Sequence, residues 1–262
     1  MYTKQDLIKD IAAVGIRRTD TLLVHSSRKA IGEVEGGADT VLDAFMEYME
    51  PGLLILPTHT WDRIGVDHPL FDPGKEDSCV GILTNLFRKR PGVIRSLHPT
   101  HSVAAYGRDA AEYVSGEELR DTPCPRNGCW GKLYDRNAKI LFLGCSLKCN
   151  TIIHGVEEWN NIPSRLAEKH ILLQIVLPDG SVLDRPMRRH QAPVPNISGN
   201  YDKLEAPMLY YGIARKERIG DAVSILCEVR PMVEMTTSFL KRNPDLFLHG
   251  DPIPAEWYKD KD

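Results

Sequence analysis

The sequence is poor in the features that mark several specialised protein classes. Its apolar runs, such as Leu53–Pro57 and Ile140–Leu143, have the length of strands and fall far short of the roughly 18 residues that cross a bilayer. Basic residues do not outnumber acidic ones, because 33 Lys and Arg face 36 Asp and Glu, for a net charge of −3. No basic surplus is therefore available to attract nucleic-acid phosphates. We expect neither a membrane protein nor a nucleic-acid-binding protein.

Cysteine is scarce as well, with six in 262 residues, too few for a disulfide scaffold. The first residues, Met1–Asp6, carry no apolar segment typical of a signal peptide. Both observations favour a reduced, cytoplasmic protein. The composition, 42% hydrophobic and 26% charged, is that of an ordinary globular chain.

Strand and helix patterns alternate along the first 160 residues, which is typical of an α/β layered sheet. Thr3 and Asp6 have the spacing of a helix cap. The predicted strands are Thr21–His25, Leu53–Leu56, Val103–Tyr106 and Lys139–Leu143. Between and after them, helical spacing predicts helices near Val41–Met49, Ile82–Phe87 and from about Asn150.

The second part of the chain differs. A turn sequence, Pro178-Asp-Gly180, separates two strand-like segments, His170–Leu177 and Ser181–Pro186, and predicts an antiparallel hairpin. Further helices are expected near Asp202–Ala214 and Pro231–Arg242. The predicted fold is one compact α/β domain, residues 1–262, with a mixed central sheet flanked by helices and an antiparallel hairpin insertion.

Val24–Gly37 is the first candidate binding segment, since it follows a strand and precedes a helix, where open α/β sheets hold ligands. It concentrates hydroxyls, cations and glycines that can approach phosphate groups. It matches neither G-x-G-x-x-G nor a P-loop. An ordinary solvated loop is the alternative.

His154 is the main catalytic candidate. On a helix it lies one turn beyond Thr151 and one turn before both Glu157 and Glu158. A carboxylate at that spacing can fix the imidazole tautomer that a general base requires, and Thr151 is placed to cap the helix or to donate into the site. The alternative is a surface histidine with a carboxylate neighbour. Spacing alone does not choose between the two acids.

Two further groups are weaker signals for a metal. His98 and His101 form an H-x-x-H pair with Pro99 between them and no convincing third ligand, so we expect them to anchor a loop, with Arg95 or Ser102 reaching a ligand. Four cysteines only loosely resemble a zinc knuckle, and free thiols are the expected state. These are Cys124, Cys129, Cys145 and Cys149.

Acidic residues are scattered through the predicted loops and helix starts. They are Asp62, Asp67, Asp121, Asp202 and Glu205. Most such residues are solvated or cap helices, but several that converge would form a negative cleft suited to a polycation.

Taken together, the motifs resemble the aminoglycoside 3-N-acetyltransferase family, whose fold differs from that of the common GNAT acetyltransferases. The likeness runs from about Lys4 to about Phe247. The ordered motifs are Val24-His-Ser-Ser-x-x-Ala-Ile-Gly-x-Val-x-Gly-Gly37, Trp61-Asp-Arg63, Phe71-Asp-Pro73, Arg95-Ser-x-His-Pro-x-x-Ser102 and Thr151-x-x-His-x-x-Glu157.

The resemblance implies acetyl-CoA as the donor, an amine as the acceptor and no metal. It implies His154 and Glu157 as the catalytic pair, with Thr151 beside them. The implied cofactor residues are His25, Ser26, Ser27, Lys29, Ala30, Gly32, Val34, Thr58, Ser102, Val103 and Ala104. For the acceptor, the acids Asp62, Asp121, Asp202 and Glu205 are the predicted contacts.

The predicted reaction is direct acetylation of the 3-amino group of a 2-deoxystreptamine aminoglycoside in a ternary complex, by a monomer or a homodimer. Arg188–His190 adds positive charge that an acceptor cleft for a polycation would not need, so another amine is an alternative acceptor. An acetyl-cysteine intermediate on Cys145 or Cys149 is a competing route. A catalytically silent CoA-binding module and a zinc-dependent hydrolase are the competing functions.

Overall fold

The computed structural model describes residues 1–259, in which seven strands form the main sheet and three more form a small one. The strands are β1 (Thr21–Ser26), β2 (Leu53–Pro57), β3 (Leu70–Phe71), β4 (Ile94–Arg95), β5 (Val103–Gly107), β6 (Lys139–Leu143), β7 (Ile171–Val176), β8 (Val182–Met187), β9 (Ala214–Ile219) and β10 (Ala222–Glu228). The α-helices are α1 (Lys4–Ala13), α2 (Gly37–Tyr48), α3 (Ile82–Phe87), α4 (Ala110–Val114), α5 (Cys129–Asp135), α6 (Thr151–Trp159), α7 (Glu205–Tyr210) and α8 (Val229–Arg242).

The order of strands in the main sheet is β4-β5-β2-β1-β6-β10-β9. The three central strands, β2, β1 and β6, are parallel, and the outer ones are antiparallel to their neighbours. The chain moves from β1 to β2 on one side and later returns to place β6 on the other. The carboxyl ends of these strands therefore meet at a switch point, where α/β sheets form a crevice.

The sheet is buried on both faces because its side chains alternate between two apolar clusters. Leu22 and Leu54 pack with α1, α2 and α3. Their neighbours Leu23 and Leu53 pack on the other face with α5, α6 and α8. The layer of α6 thus lies directly against the sheet, which fixes the position of His154 relative to the strand ends.

The predicted hairpin is present as β7 and β8, which pair antiparallel. With the parallel strand β3 it forms the three-stranded sheet, over its own apolar cluster that includes Phe71 and Leu173. The chain leaving β8 returns towards the crevice and supplies one wall of the site described below.

The mixed α/β sheet flanked by helices is confirmed, and α1 begins with the predicted capping box between Thr3 and Asp6. The helix predicted over Asp202–Ala214 is wrong in extent. A 3-10 helix covers Ile197–Leu204, α7 ends at Tyr210, and β9 starts at Ala214. Gly212, with a positive φ of 66°, reverses the chain there. Assignment of residues 1–262 to one domain stays a prediction. Within residues 1–259, no helix is long and apolar enough to cross a membrane.

Candidate active site

A cavity of about 710 Å³ opens at the carboxyl ends of β1 and β2. The start of α6 forms one side, and the segment after β8, residues 189–198, forms the other. Its wall comprises His25, Ser26, Pro57, His59, Trp61, Val80, Thr84, His101, Lys148, Cys149, Asn150, Thr151, His154, Arg189, His190, Gln191, Ala192, Val194, Pro195, Asn196, Ile197 and Ser198. The cavity has the size of a small-molecule site.

His154 reaches this cavity from the first turns of α6 and is held from behind by a chain of hydrogen bonds. The Tyr201 hydroxyl lies 2.7 Å from His154 Nδ1 and donates to Glu157 Oε2 at 2.8 Å. Arg165 Nε donates to Glu157 Oε1 at 2.6 Å. The direct separation between His154 Nδ1 and Glu157 Oε2 is 3.6 Å, which is too long for a hydrogen bond. Glu157 therefore orients His154 chiefly through Tyr201.

This chain of bonds assigns the tautomer of His154. Because the Tyr201 hydroxyl donates its proton to Glu157, its oxygen accepts from His154 Nδ1–H. The lone pair of a neutral ring then lies on Nε2. The His154 side chain is 23% exposed and Glu157 is fully buried, so the imidazole meets the cavity while the carboxylate does not.

The surroundings of Glu157 favour the ionised form of its carboxyl group. Burial raises the pKa of Glu157, but the neighbouring His154 and Arg165 outweigh burial and hold that pKa below its usual value. The pKa of Tyr201 is far above its usual value, first because the phenol is buried and then because Glu157 is beside it. Tyr201 thus stays protonated and can act as the bridge.

Glu158 has a different environment from Glu157. It accepts hydrogen bonds from the Thr122 hydroxyl and from the Cys124 backbone N–H, and burial raises its pKa. It points away from the Tyr201 hydroxyl that joins His154 to Glu157. The structure therefore favours Glu157 as the acid paired with His154.

Thr151 lines the cavity but does not cap its helix as predicted. The N-cap residue of α6 is Asn150, and in the described part of the chain no side chain caps this helix. The Thr151 hydroxyl instead lies 3.0 Å from His59 Nε2. Because Thr151 is the first residue of α6, its hydroxyl and the free N–H groups of the first turn border the same space as His154.

Further histidines gather with His154 around the floor of the cavity. Their rings pack on one another or on Trp130 and Phe142. Burial lowers the pKa of each, that of His25 to about 3. They are therefore neutral at pH 7. These residues are His25, His59, His98, His101 and His190.

His98 anchors the loop before β5. Its ring binds the Thr122 carbonyl and the N–H groups of Thr100 and His101. This arrangement agrees with the structural role that the H-x-x-H spacing and Pro99 favoured.

The predicted cofactor residues divide into three groups. His25 and Ser26 lie in the cavity wall. Ser27, Lys29, Ala30, Gly32 and Val34 follow on the 3-10 turn and the loop beyond it, outside that wall. The φ of Gly32 is +86° and a Cβ there would meet Asp221, so glycine is required for the turn to pass the end of β10.

The other predicted cofactor residues are inside the protein. Val103 and Ala104 have no exposed surface because they lie within β5. Thr58 and Ser102 are also fully buried, with their hydroxyl oxygens 2.9 Å apart. Both bind Arg95. These four residues are not in the cavity wall, and their part in cofactor binding stays a prediction.

The four acids predicted for the acceptor are not brought together. Asp121 lies 3.6 Å from His170, Asp202 contacts Lys148, and Glu205 pairs with Lys216 at 2.6 Å. Asp62 is exposed beside Cys79. Within residues 1–259 the cavity wall contains no carboxylate, whereas Lys148 and Arg189 belong to it.

All six cysteines are free thiols. Cys149 lines the cavity, and a hydrogen bond with Cys145 lowers the pKa of Cys149 to about 7. The other two cysteines of the loosely knuckle-like set, Cys124 and Cys129, are both buried.

Tyr201 and Arg165 are the functional residues that the sequence did not reveal. Tyr201 lies 44 residues after Glu157, and nothing in its local sequence differs from that of any other buried tyrosine. Arg165 follows Glu157 by eight residues, on a loop with no periodic pattern. The positive run Arg188–His190, by contrast, was a usable signal, because Arg189 and His190 do line the cavity.

Similarity to known proteins covers most of the chain. The family model described as aminoglycoside 3-N-acetyltransferase matches residues 23–241. Aminoglycoside N(3)-acetyltransferase VII from Streptomyces paromomycinus is 28% identical over 91% of this chain and 91% of its own length. Aminoglycoside N(3)-acetyltransferase IX from Micromonospora chalcea is 26% identical over 91% of this chain and 93% of its own length.

Solved structures are similar over the same extent. The crystal structure of aminoglycoside acetyltransferase AAC(3)-Xa superimposes with a TM-score of 0.81 and 27% identity, covering 92% of this chain and 93% of that one. The structure of AAC-IIIb in a binary complex with CoASH has a TM-score of 0.81 at 24% identity, covering 96% and 99%. At this identity, the similarity to AAC-IIIb shows a shared fold.

Proposed function

Because the chain belongs to the aminoglycoside 3-N-acetyltransferase family, and so is an acyltransferase, we propose that it acetylates the 3-amino group of a 2-deoxystreptamine aminoglycoside from acetyl-CoA. The observation that carries the proposal is the chain from His154 through Tyr201 to Glu157 and Arg165. It holds one imidazole, exposed to a cavity, in the tautomer of a general base.

The reaction replaces the carbon–sulfur bond of the thioester by a carbon–nitrogen bond and moves one proton from nitrogen to sulfur. The acceptor nitrogen attacks the thioester carbonyl, and His154 Nε2 takes a proton from this nitrogen. The nitrogen must lose that proton because the product is a neutral amide. The tetrahedral intermediate then collapses, the carbon–sulfur bond breaks, and the proton on His154 passes to the CoA sulfur. Proton transfer by a positioned base typically contributes about 10²–10⁴ in rate.

Charge on the carbonyl oxygen needs a donor in the same space. Thr151, the first residue of α6, lines the cavity together with His154. We assign the first turn of α6 to the developing oxyanion, where the loss of one such donor commonly costs about 10²–10³ in rate.

The cofactor assignment is supported by a relative and by the position of the Ser26 loop. AAC-IIIb, which shares the fold, was solved with CoASH. In this chain His25 and Ser26 lie in the cavity wall, and the turn that carries Lys29 and Gly32 leads away from it. The pantetheine arm would enter along this path, and the buried corner of Thr58 and Ser102 would support it.

Substitution of His154 tests the proposal directly. His154→Ala is expected to lower kcat for CoA release by at least about 10² while the Kd for acetyl-CoA stays within twofold. His249→Ala, which changes an exposed histidine, is the control. Unchanged turnover in the His154 variant would refute the base assignment. If the wild-type protein binds acetyl-CoA but acetylates none of the amines tested, a silent CoA-binding module would be supported instead.

Direct transfer is distinguished from an acetyl-cysteine route by Cys149. Its thiol is hydrogen-bonded to the thiol of Cys145 and not to a general base. Cys149→Ser is therefore expected to retain turnover within a few-fold, and the intact protein mixed with acetyl-CoA alone should gain no acetyl mass. A stable mass increase of one acetyl group that the serine variant lacks would overturn the ternary-complex route.

A second acceptor class is favoured by the charge of the cavity. Lys148 and Arg189 belong to its wall and no carboxylate does, within the residues that the structure describes. A polycation binds best against negative charge, so a less charged amine fits this wall better. CoA release measured with a panel of aminoglycosides and of monoamines separates the two acceptor classes. As a second measurement, a true substrate should raise the melting temperature of the protein in the presence of CoA, because its binding stabilises the folded state.

A further inference from the structure

Three side chains that can bind a metal converge at the cavity wall, next to the proposed catalytic chain and outside it: His101 and His190 line the cavity, and Cys124 is buried. His101, Cys124 and His190 each offer one ligand atom, and these atoms lie within 4.8 Å of one another. They come from three separate parts of the chain: the loop before β5, the loop before α5 and the segment after β8. Their proximity is therefore a product of the tertiary fold.

The polar atoms of this cluster have few hydrogen-bond partners among residues 1–259. His190 Nε2 is buried and has no hydrogen bond there. Cys124 has no exposed surface, and its sulfur makes a long 4.0 Å contact with the Thr151 carbonyl. Buried polar groups normally have a partner, so an imidazole nitrogen that lacks a hydrogen bond beside a buried sulfur needs an explanation.

We propose that His101, His190 and Cys124 bind a zinc ion, with the carboxylate of Glu158 as the fourth ligand. Nitrogen and sulfur ligands of this kind select zinc over magnesium or calcium, which prefer oxygen. The sequence does not predict this set, because the two histidines and the cysteine have no zinc-motif spacing.

The distances suit a tetrahedral ion. With metal–ligand bonds of about 2.0–2.1 Å to nitrogen or oxygen, two such ligands stand about 3.3 Å apart, and nitrogen and sulfur about 3.6 Å apart. Glu158 Oε2 lies 3.4 Å from His190 Nε2. The ligand atoms of His101, Cys124 and His190 lie within 4.8 Å of one another and need to close by about 1 Å, which is within the reach of small side-chain rotations.

The surrounding hydrogen bonds already orient the ligands. His101 Nδ1 lies 3.0 Å from the Thr100 hydroxyl, which leaves Nε2 of that ring for the metal. Glu158 is fixed by the Thr122 hydroxyl and the Cys124 N–H. Outer partners of this kind, on the far nitrogen of a histidine and on the carboxylate, accompany metal ligands in proteins.

The charges also balance. Zinc binding releases the thiol proton to solvent, and the ion then compensates the thiolate and the carboxylate. The ion would also fix the ring of His190, whose centroid lies 4.8 Å from that of His154.

Cobalt(II) is the probe, because it replaces zinc in such sites and is coloured. Titration of the untagged full-length protein with Co²⁺ is expected to give one equivalent of binding with a sulfur-to-cobalt charge-transfer band in the near ultraviolet. One equivalent of Zn²⁺ should bleach this band. The readout is spectroscopic and independent of acetyl transfer, so its failure leaves the proposed function untouched.

Variants assign the ligands. Cys124→Ser should abolish the charge-transfer band, whereas Cys227→Ser, which removes another buried thiol, should keep it. Glu158→Gln and His190→Asn should each weaken Co²⁺ binding at least tenfold, and circular dichroism checks that every variant is folded. A protein that binds no Co²⁺ at a twofold excess, or a band that survives in folded Cys124→Ser, would overturn the proposal.

Discussion

At the level of single residues, the hydroxyl group of Tyr201 connects His154, the proposed base, to Glu157. Tyr201→Phe removes the 2.7 Å and 2.8 Å hydrogen bonds to His154 and Glu157 and leaves the ring packing against Phe247 in place. We expect kcat to fall about tenfold to a hundredfold with an unchanged KM for acetyl-CoA. This loss is smaller than that of the base itself, about 10²–10⁴.

Steady-state kinetics of CoA release measures this split between kcat and KM. Tyr134→Phe is the matched control, because it deletes a tyrosine hydrogen bond to Glu234 on the outer surface. If Tyr201→Phe raises KM and leaves kcat unchanged, the hydroxyl has no part in positioning His154.

The proximity of His154 and Glu157 was predictable from the sequence, and the Tyr201 hydroxyl that connects them was not. His154 and Glu157 share one helical face at a spacing of three residues, which a pattern can reveal. Tyr201 reaches them from a 3-10 helix that follows the β7–β8 hairpin along the chain, and only the folded chain defines that approach. For the same reason, only the fold decides whether the scattered acids converge.

At the level of secondary-structure elements, the turn after β6 is a crowded junction beneath the site. Gly144 has a φ of +67°, and a Cβ there would lie 2.4 Å from the Cβ of Ala30. Gly180, in the hairpin turn, has a φ of +83°, and a Cβ there would meet no atom of the described residues within 4 Å. The two positions share the backbone conformation and differ in the space around them.

Alanine substitutions at these two glycines therefore separate strain from crowding. Gly180→Ala is expected to lower the free energy of unfolding by about 1–2 kcal/mol, the cost of a left-handed alanine. Gly144→Ala adds overpacking of about 1–3 kcal/mol and displaces the turn that carries Ala30. Urea unfolding monitored by circular dichroism measures both, and equal losses would contradict the crowding argument.

The two hairpins show why some elements were predictable. Two strand-like segments flank the turn sequence Pro178-Asp-Gly180, and β7 and β8 were found there. The strand β9 has four consecutive exposed charged residues between Ala214 and Ile219, so no alternation marked it as a strand. It is held by backbone pairing with β10, which composition does not record.

At the level of the whole molecule, the buried histidines set the acid limit of stability. The pKa of His25 is lowered to about 3 by burial, against about 6.5 in an unfolded chain. Below pH 6.5 the unfolded state binds a proton that the folded state does not, so stability falls as the pH drops from about 6.5 towards 3. Each such histidine costs up to about 1.4 kcal/mol per pH unit in that window.

Replacement of His25 isolates one of these protons. The ring stacks on Phe142 at 5.3 Å, so His25→Phe keeps an aromatic contact. Between pH 5.5 and 4.5 this variant should lose about 1.3 kcal/mol less of its unfolding free energy than the wild type. Urea titrations at both pH values give the difference. His249→Gln, at an exposed position, should lose as much as the wild type, and an equal loss in His25→Phe would refute the argument.

The family resemblance based on five ordered motifs is confirmed across residues 23–241, and with it the mixed α/β sheet. Ordered motifs report the fold reliably because each one lies at a strand end or a helix start that the fold requires. They report the acceptor poorly, since the segment after β8 that supplies Arg189 and His190 is a loop whose length and charge the sheet does not constrain.

The two outer edges of the main sheet are both unsuited to receiving another strand. At one end β4 is only two residues long, and at the other β9 presents Arg215, Lys216, Glu217 and Arg218 to solvent. Short or charged borders of this kind prevent copies of a chain from joining edge to edge into continuous aggregates. Concentrated preparations of the protein should accordingly resist fibril growth, even though the interior strands are almost wholly aliphatic.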